Sequence, residues 1–384
     1  MRWSGFFAGT GFGEGSVHKV DVGLVFSTTG PYGALGRNAL AGAQLAIREL
    51  AADDAVQIDA HHVDPQGRPE LYRSMTAELL AERGIRHLVG GITSWSRKDM
   101  IPVLERYGAL LWYPCPYEGF EANDHVVYLG GCPNQHLLPL LDRMTAAGHR
   151  RAFLIGSDYV WGWETLRIAR ERLSAARVEI MGERHILLGD RDCADAVARI
   201  AETGCDLVVN SLIGPSNHAF VRAMARLTPR PQLVSANQTE ADLDEMGACA
   251  DGMLSIAPWF DAGGDQGLSG AEAGGTRASC FFATSYVAIH LLAQGIRSAG
   301  DDHPIRVFDA IKDRRLDTVL GPLRIDPGNR HTELTPRIAV AQGGRFDVVE
   351  TFAAPVPPDP YLIQTGQVRT PLARADRPSL RLVE

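Results

Sequence analysis

The stretch HLVGGITSWSRKDMIPVLERYGALLWYPCPYEGFE, residues 87–121, decides the fold. It begins with a short strand pattern at His87–Ile92, followed by serines that can cap a helix running to about Tyr107. A second strand pattern follows at Ala109–Tyr113. A strand, a helix and a strand in this order are typical of a right-handed βαβ unit in a parallel sheet.

The same alternation extends in both directions along the chain. One run of strand and helix patterns covers residues 20–113, and a second covers residues 152–256, where a loop is predicted at 214–216. Each run is long enough to form its own sheet. A Gly-rich joint at 262–275 follows, and further strand patterns lie beyond Gly321. The sequence therefore predicts an α/β protein with two doubly wound, parallel-sheet lobes.

Length and charge exclude several classes of protein. The chain has 384 residues, which suggests two or three domains. Its formal net charge of -8 argues against direct binding to nucleic acid or to an anionic membrane. Residues 1–18 are Gly-rich and are predicted to form a flexible tail without a signal peptide. With scattered cysteines and no apolar span, the expectation is a cytoplasmic protein.

Motifs for catalysis, metals and cofactors are missing from the sequence. It contains no G-x-S-x-G, H-E-x-x-H or Walker A pattern. His61 and His62 are neighbours on a predicted strand and point to opposite faces, so one core and one surface histidine are expected. We predict no metal, no cofactor and no enzyme. An amidohydrolase with Cys115 as nucleophile is a weaker alternative, since no histidine base is indicated nearby.

Polar and aromatic residues collect where the predicted strands end. Ligands of doubly wound sheets bind at the carboxyl ends of the strands. Hydroxyls, amides and aromatic rings with few charges suit a small neutral polar molecule. For any one of these residues, a helix cap or a turn is the simpler explanation. The residues concerned are Ser27, Thr28, Thr29, Thr93, Ser94, Trp95, Ser96, Tyr113–Glu118, Ser157, Asp158, Tyr159, Ser211, Asn237, Gln238 and Thr239.

Residues 87–121 resemble the cytoplasmic amide sensors that regulate the expression of aliphatic amidases. VGLVFSTTGPYG, FLIGSDYVWGWET, GPLRID and VVETFAAPVPPDPY are similar to the same family, so the likeness covers about 19–365. These sensors belong to the type I periplasmic-binding-protein superfamily, together with receptors for branched-chain amino acids and urea.

The resemblance implies a fold of two lobes that close on a ligand and are joined by three hinge crossovers. The crossovers are expected near 120–135, 260 and 320. The implied first lobe is 19–133 with 264–318, and the implied second lobe is 134–263 with 319–384.

The resemblance also implies a set of ligand-binding residues. Those of the first lobe are Ser94, Tyr113, Cys115 and Pro116, and those of the second are Tyr159, Ser211, Asn237 and Gln238. The family tends to have tyrosine at the position of Ile92 and threonine at that of Cys115. Losing a phenol and a hydroxyl predicts a less polar, roomier pocket for a bulkier amide or a nitrile-derived amide.

The implied function is a sensor that binds short aliphatic amides or a related neutral solute. In the family, the sensor holds an RNA-binding antitermination protein inactive until the ligand binds, and so controls amidase or nitrile-degradation genes. The alternative is the solute-binding component of an ABC importer for amides, urea or branched-chain amino acids. A homo-oligomer is compatible with either role.

Overall fold

Five parallel strands form the first sheet. The computed structural model describes residues 18–51, 56–261, 268, 272–273 and 276–364. The strands are β1 (His18–Val25), β2 (Val56–Val63), β3 (His87–Gly90), β4 (Leu110–Tyr113) and β5 (Val126–Tyr128), in the order β2-β1-β3-β4-β5. The helices that connect them are α1 (Gly33–Leu50), α2 (Pro69–Arg83) and α3 (Ser94–Tyr107).

A second parallel sheet follows along the chain. Its strands are β6 (Arg151–Ser157), β7 (Glu179–Ile186), β8 (Leu207–Ser211), β9 (Gln232–Ser235) and β10 (Leu254–Ala257). The helices of this part are α4 (Leu137–Ala146), α5 (Val160–Ala175), α6 (Ala194–Thr203), α7 (Gly214–Met224) and α8 (Glu240–Met246). Two 3₁₀ turns lie at Pro133–Gln135 and Gly247–Ala250.

The remaining elements complete both halves. They are the hairpin β11 (Glu272–Ala273) and β12 (Thr276–Arg277), the helices α9 (Cys280–Ala299) and α10 (Pro304–Ile311), the hairpin β13 (Arg315–Thr318) and β14 (Gly321–Arg324), and the strands β15 (Arg337–Gln342) and β16 (Arg345–Thr351). The last two join the second sheet antiparallel, which gives the order β16-β15-β10-β9-β8-β6-β7.

Helix α9 returns to the first lobe and packs against α1 along small residues. A Cβ on Gly42 of α1 would overlap the backbone carbonyl oxygen of Phe282 in α9. Ala39, Ala43 and Ala46 are fully buried on the same helix. Because these side chains are small, the two helices approach closely, and the apolar α9 becomes part of the core of the first lobe.

Three crossovers connect the sheets, which confirms the predicted α/β architecture. The chain passes between them at 129–136, between β10 and α9, and at 325–336. The first and third crossovers are hydrogen bonded to each other: the amide of Gln135 donates to the carbonyl oxygen of Thr332 at 2.8 Å, and the Thr332 N–H donates to that of Tyr128 at 3.0 Å. The third crossover follows the hairpin of β13 and β14. The residue boundaries of the two lobes stay predictions.

Several local predictions were wrong for identifiable reasons. The predicted loop at 214–216 is the first turn of α7, where Pro215 is tolerated because no intrahelical N–H is needed there. Strand β3 ends at Gly90 rather than Ile92, since Gly90 and Gly91 adopt φ angles of 154° and 77°. Strand β5 and helix α4 were not predicted; β5 has only three residues and therefore no clear period.

The expectation of a core histidine at 61–62 was also wrong. His61 is half-buried, and its Nε2 lies 2.6 Å from Asp21 Oδ1, while its Nδ1 lies 3.3 Å from Arg83. His62 is exposed. Asp21, Asp59 and His61 each have one potential metal-ligand atom within 4.8 Å of the other two. Both ring nitrogens of His61 already have protein partners.

The sequence also predicted a flexible tail, a Gly-rich joint and no apolar span. The predicted tail at 1–18 lies outside the described residues except for His18, which begins β1, and most of the joint at 262–275 is likewise outside them. In the part of the chain that is described, no helix combines the length and apolar character needed to cross a bilayer. The six cysteines are unpaired.

A fully buried histidine, His87, joins the first sheet to the end of α9. Its Nδ1 accepts a hydrogen bond from Trp112 Nε1 at 3.3 Å, and its Nε2 donates to the carbonyl oxygen of Asp302 at 2.9 Å. Both nitrogens are thus satisfied in the neutral ring. Burial lowers the pKa of His87 from 6.5 to about 4. Burial has the same effect on the pKa of His136 and His331.

The free energy of unfolding should therefore fall as the pH drops from 6.5 to about 4. In this window the unfolded histidine binds a proton that the folded one does not, and each such histidine contributes up to about 1.4 kcal/mol per pH unit. Urea unfolding between pH 7 and pH 4.5 measures the slope. His87→Gln, which keeps a donor and an acceptor, should make the dependence of the free energy of unfolding on pH less steep. His62→Gln, at an exposed histidine, should follow the wild type, and equal slopes for His87→Gln and wild type would contradict the assignment.

Candidate functional site

The carboxyl ends of the strands in both sheets face each other across one cleft, and in this structure they touch. Pro31 follows β1 in the first lobe, and a Cβ on Gly214, which begins α7 in the second lobe, would overlap its carbonyl oxygen. Trp95 of α3 contacts Tyr159, which follows β6, with ring centroids 5.0 Å apart. The lobes are therefore closed on each other.

Ser94 lies in this cleft at the first turn of α3, directly after β3. Thr93 caps the helix: its hydroxyl accepts from the Ser96 N–H at 3.2 Å, and its own N–H donates to the Ser96 hydroxyl at 3.1 Å. Ser94 is buried, and its hydroxyl donates to Glu118. The carboxylate can only accept, so the Ser94 proton is held on that side.

Glu118 belongs to a cluster of four charges, in which Arg97 and Glu118 are buried, Glu121 is partly buried and Lys98 is exposed. Arg97, which has no exposed surface, donates from Nη2 to Glu118 at 3.2 Å and from Nε to Glu121 at 2.5 Å. Lys98 Nζ lies 2.8 Å from Glu121 and 3.7 Å from Glu118. Two cations therefore face two carboxylates, and the formal charge of the cluster is zero.

Pairing favours the charged forms of Arg97 and Glu121 in spite of their burial. Burial by itself lowers the pKa of Arg97, but Glu118 and Glu121 outweigh it and hold that pKa well above its ordinary value. Burial raises the pKa of Glu121, but Arg97 and Lys98 bring it down to about 2. Removing one partner would leave an uncompensated buried charge, which destabilises a protein by several kcal/mol.

Tyr113 and Cys115, both predicted to bind ligand, are buried in the first lobe beside the cluster. The Tyr113 ring lies 4.8 Å from the Arg97 guanidinium, and Cys115 Sγ donates to the Gly91 carbonyl oxygen at 3.3 Å. Burial raises the pKa of both side chains well above their ordinary values. This burial favours the thiol form of Cys115, whereas a nucleophilic cysteine acts as the thiolate.

The residues predicted from the second lobe divide into two groups. Tyr159 lies in the cleft against Trp95, and burial raises the pKa of its phenol well above the usual value. Ser211 is used inside its own lobe: its hydroxyl lies 3.4 Å from the Ile155 carbonyl oxygen, and its carbonyl accepts from Trp161 Nε1 at 3.1 Å. The structure therefore gives the Ser211 side chain a partner within the second sheet rather than across the cleft.

Pro116, Asn237 and Gln238 line a small cavity where the crossovers meet. The cavity measures about 20 Å³, which is room for a single water molecule. The amides of Asn237 and Gln238 both donate to the Leu212 carbonyl oxygen, at 3.2 and 3.3 Å. His136 also lines this cavity. A solute of several heavy atoms therefore needs the lobes to open before it can enter.

Four residues of the cleft received no individual role from the sequence, although Trp95 and Glu118 stood among the polar and aromatic residues at the strand ends. Trp95, Arg97 and Glu118 lie within residues 87–121, but the pairing of Ser94 with a side chain 24 positions away is not visible in the sequence. Tyr32, whose hydroxyl lies 3.5 Å from that of Thr93, is the fourth. The opposite charges of Arg97 and Glu118 could have suggested an ion pair. The sequence does not show that this pair is buried, because burial depends on the tertiary fold.

Comparison with known families gives one match over most of the chain. The family described as "Periplasmic binding protein domain" matches residues 20–367. This range includes both sheets and all three crossovers.

Solved structures share the whole fold at low sequence identity. A solute binding protein of an ABC transporter from Rhodopseudomonas palustris, in complex with p-hydroxybenzoic acid, is 18% identical with a TM-score of 0.81, and covers 90% of this chain and 100% of its own. A branched-chain amino acid transporter substrate binding protein from Streptococcus pneumoniae, in complex with isoleucine, is 18% identical with a TM-score of 0.75, covering 86% and 99%. A periplasmic binding protein from Burkholderia mallei is 14% identical with a TM-score of 0.79, covering 93% and 99%.

Gly214→Ala should prevent full closure of the lobes, because the added methyl group meets the Pro31 backbone only when they are shut. Small-angle X-ray scattering should give a larger radius of gyration than for the wild type. Gly204→Ala is the matched control: it also places alanine at a φ of 59°, but the Pro31 backbone is not among the atoms that its Cβ would meet. Equal radii for the two variants would contradict the contact.

Proposed function

Since this chain belongs to the periplasmic binding protein family and has its type I fold, we propose that it binds a small neutral solute of the amide or urea class between its lobes. Hydroxyls from both lobes, those of Ser94 and Tyr159, are available to such a solute once the lobes open. The proposal keeps Ser94, Tyr113, Cys115 and Tyr159 as candidate contacts at the cleft, with Pro116 beside them at the hinge.

The balanced charge of the cluster around Arg97 is the observation that supports a neutral ligand. The cations next to Ser94 are Arg97 and Lys98, and both are paired with Glu118 and Glu121. A carboxylate placed there would add a third negative charge beside Glu118 and leave the cluster with a net negative charge, at an expense of several kcal/mol. A neutral amide needs only hydrogen bonds. The solved relatives that bind p-hydroxybenzoic acid and isoleucine take carboxylates, so this chain would differ from them in ligand class.

Two biological roles follow from such a receptor. A component of an ABC importer is favoured by the solved structures, which are transporter binding proteins at full-length coverage. A cytoplasmic sensor is favoured by the resemblance of residues 87–121 to the amide sensors. In both roles the ligand shifts the balance between open and closed lobes, and the partner distinguishes the two forms. In neither role does the chain transform its ligand.

The partner separates the two roles. The importer role expects the liganded chain to associate with a membrane permease. The sensor role expects the ligand-free chain to hold an RNA-binding antitermination protein and to release it on binding amide. Affinity capture from cells of the source, with and without amide, followed by mass spectrometry of the bound proteins, decides between them.

Isothermal titration calorimetry with matched pairs should show binding of the amides and weak binding of the acids. The pairs are acetamide and acetate, butyramide and butyrate, and benzamide and benzoate, with urea as a further neutral solute. We expect at least a tenfold preference for the amide within the pair that fits best. A bound amide at a hundredfold excess over its Kd should add about 2.7 kcal/mol to the free energy of unfolding. A preference for the acids would contradict the proposal.

Tyr159→Phe should weaken amide binding about tenfold, since it removes one hydrogen-bonding hydroxyl from the cleft and keeps the ring against Trp95. Tyr107→Phe is the control, because Tyr107 is exposed at the far end of α3. Calorimetry with the best amide of the panel measures both variants. Equal affinity of Tyr159→Phe and wild type would remove Tyr159 from the set of contacts.

A further inference from the structure

The hydrogen-bond polarity of Ser94 is fixed by its surroundings. A serine hydroxyl carries one hydrogen and two lone pairs. Its hydrogen is directed to the carboxylate of Glu118. Towards the cleft Ser94 therefore presents lone pairs, and the ligand group that meets it must supply a hydrogen.

Glu118 cannot easily turn away from Ser94. Its Oε1 receives Arg97 at 3.2 Å and lies 3.7 Å from Lys98, so Oε2 is the oxygen left for the serine. Arg97 is itself held in place, with its guanidinium 4.8 Å and 4.5 Å from the rings of Tyr113 and Tyr117. The orientation of Glu118 is thus set by a charge that the folded chain encloses completely.

We propose that Glu118 is a specificity-determining residue, which makes Ser94 a hydrogen-bond acceptor and so selects solutes that carry an N–H at that point. This inference rests on the proposed function and names the Ser94 hydroxyl oxygen as the atom that discriminates between amides and acids. An amide or urea N–H satisfies Ser94. The oxygen of a carboxylate in the same place faces a lone pair of Ser94 and the negative charge of Glu118 behind it.

Glu118→Gln should reverse this polarity. Arg97 donates at this position and Lys98 is a second cation nearby, so the side-chain carbonyl oxygen of the glutamine stays on their side. Its NH₂ group is then turned to Ser94 and donates to the hydroxyl oxygen. The Ser94 hydrogen is released and can be donated to a ligand oxygen. The amide-to-acid affinity ratio, measured by calorimetry with benzamide and benzoate and with butyramide and butyrate, should fall at least tenfold relative to wild type.

Glu121→Gln is the matched control for charge. It removes one negative charge from the same cluster, but Glu121 is bonded to Arg97, Lys98 and Tyr128 rather than to Ser94. Its affinity ratio should fall clearly less than that of Glu118→Gln, since it makes the same change of charge but leaves the donor and acceptor roles at Ser94 unchanged. Thermal unfolding of both variants shows whether each is folded, since both weaken the ion pairs of Arg97.

The Ser94→Ala background tests whether the effect passes through the hydroxyl. There, Glu118→Gln should change the ratio no more than Glu121→Gln does in the wild type. If the wild type itself prefers the acids, the proposed function falls together with this inference. If the wild type prefers amides but Glu118→Gln and Glu121→Gln shift the ratio equally, or the shift persists without Ser94, this inference alone is overturned.

Discussion

The burial of Arg97 is the constraint on which the cleft depends. An enclosed guanidinium is tolerated only where carboxylates and aromatic faces surround it, and here Glu118, Glu121, Tyr113 and Tyr117 do so. These residues come from α3, the end of β4 and the loop that leads to β5. One side chain therefore fixes the relative positions of a helix start, a strand end and the approach to the first crossover.

The fold could be predicted where the pattern was long and could not where tertiary contacts decide. The βαβ alternation at 20–113 and 152–256 gave the class and the two sheets. Strand β5 was not predicted because three residues are too few to show a periodic hydrophobic pattern. Its place in the sheet follows from its pairing with β4. Helix α7 was shortened in the prediction because Gly214 and Pro215 are common in loops, although proline also suits the first turn of a helix.

The sequence predicted which strand ends carry candidate site residues, but not which of their side chains are bonded to one another. The resemblance supplied Ser94 and Tyr159, and the closed cleft brings their neighbourhoods together through Trp95. It also supplied Ser211, whose hydroxyl is turned into its own sheet. The role of Glu118 depends on a contact between segments distant along the chain, and a single sequence gives no signal for such a contact.

The hydrogen bonds of Gln135 have a mechanical consequence. Because they tie the first crossover to the third, these two segments bend together, and the relative motion of the lobes is reduced towards a rotation about one axis. The contact between Pro31 and Gly214 follows strand β1, which lies three strand spacings, or about 14 Å, from β5 and its crossover. On such an arm, a rotation of about 10° near Gln135 corresponds to a displacement of about 2.4 Å at the contact between Pro31 and Gly214.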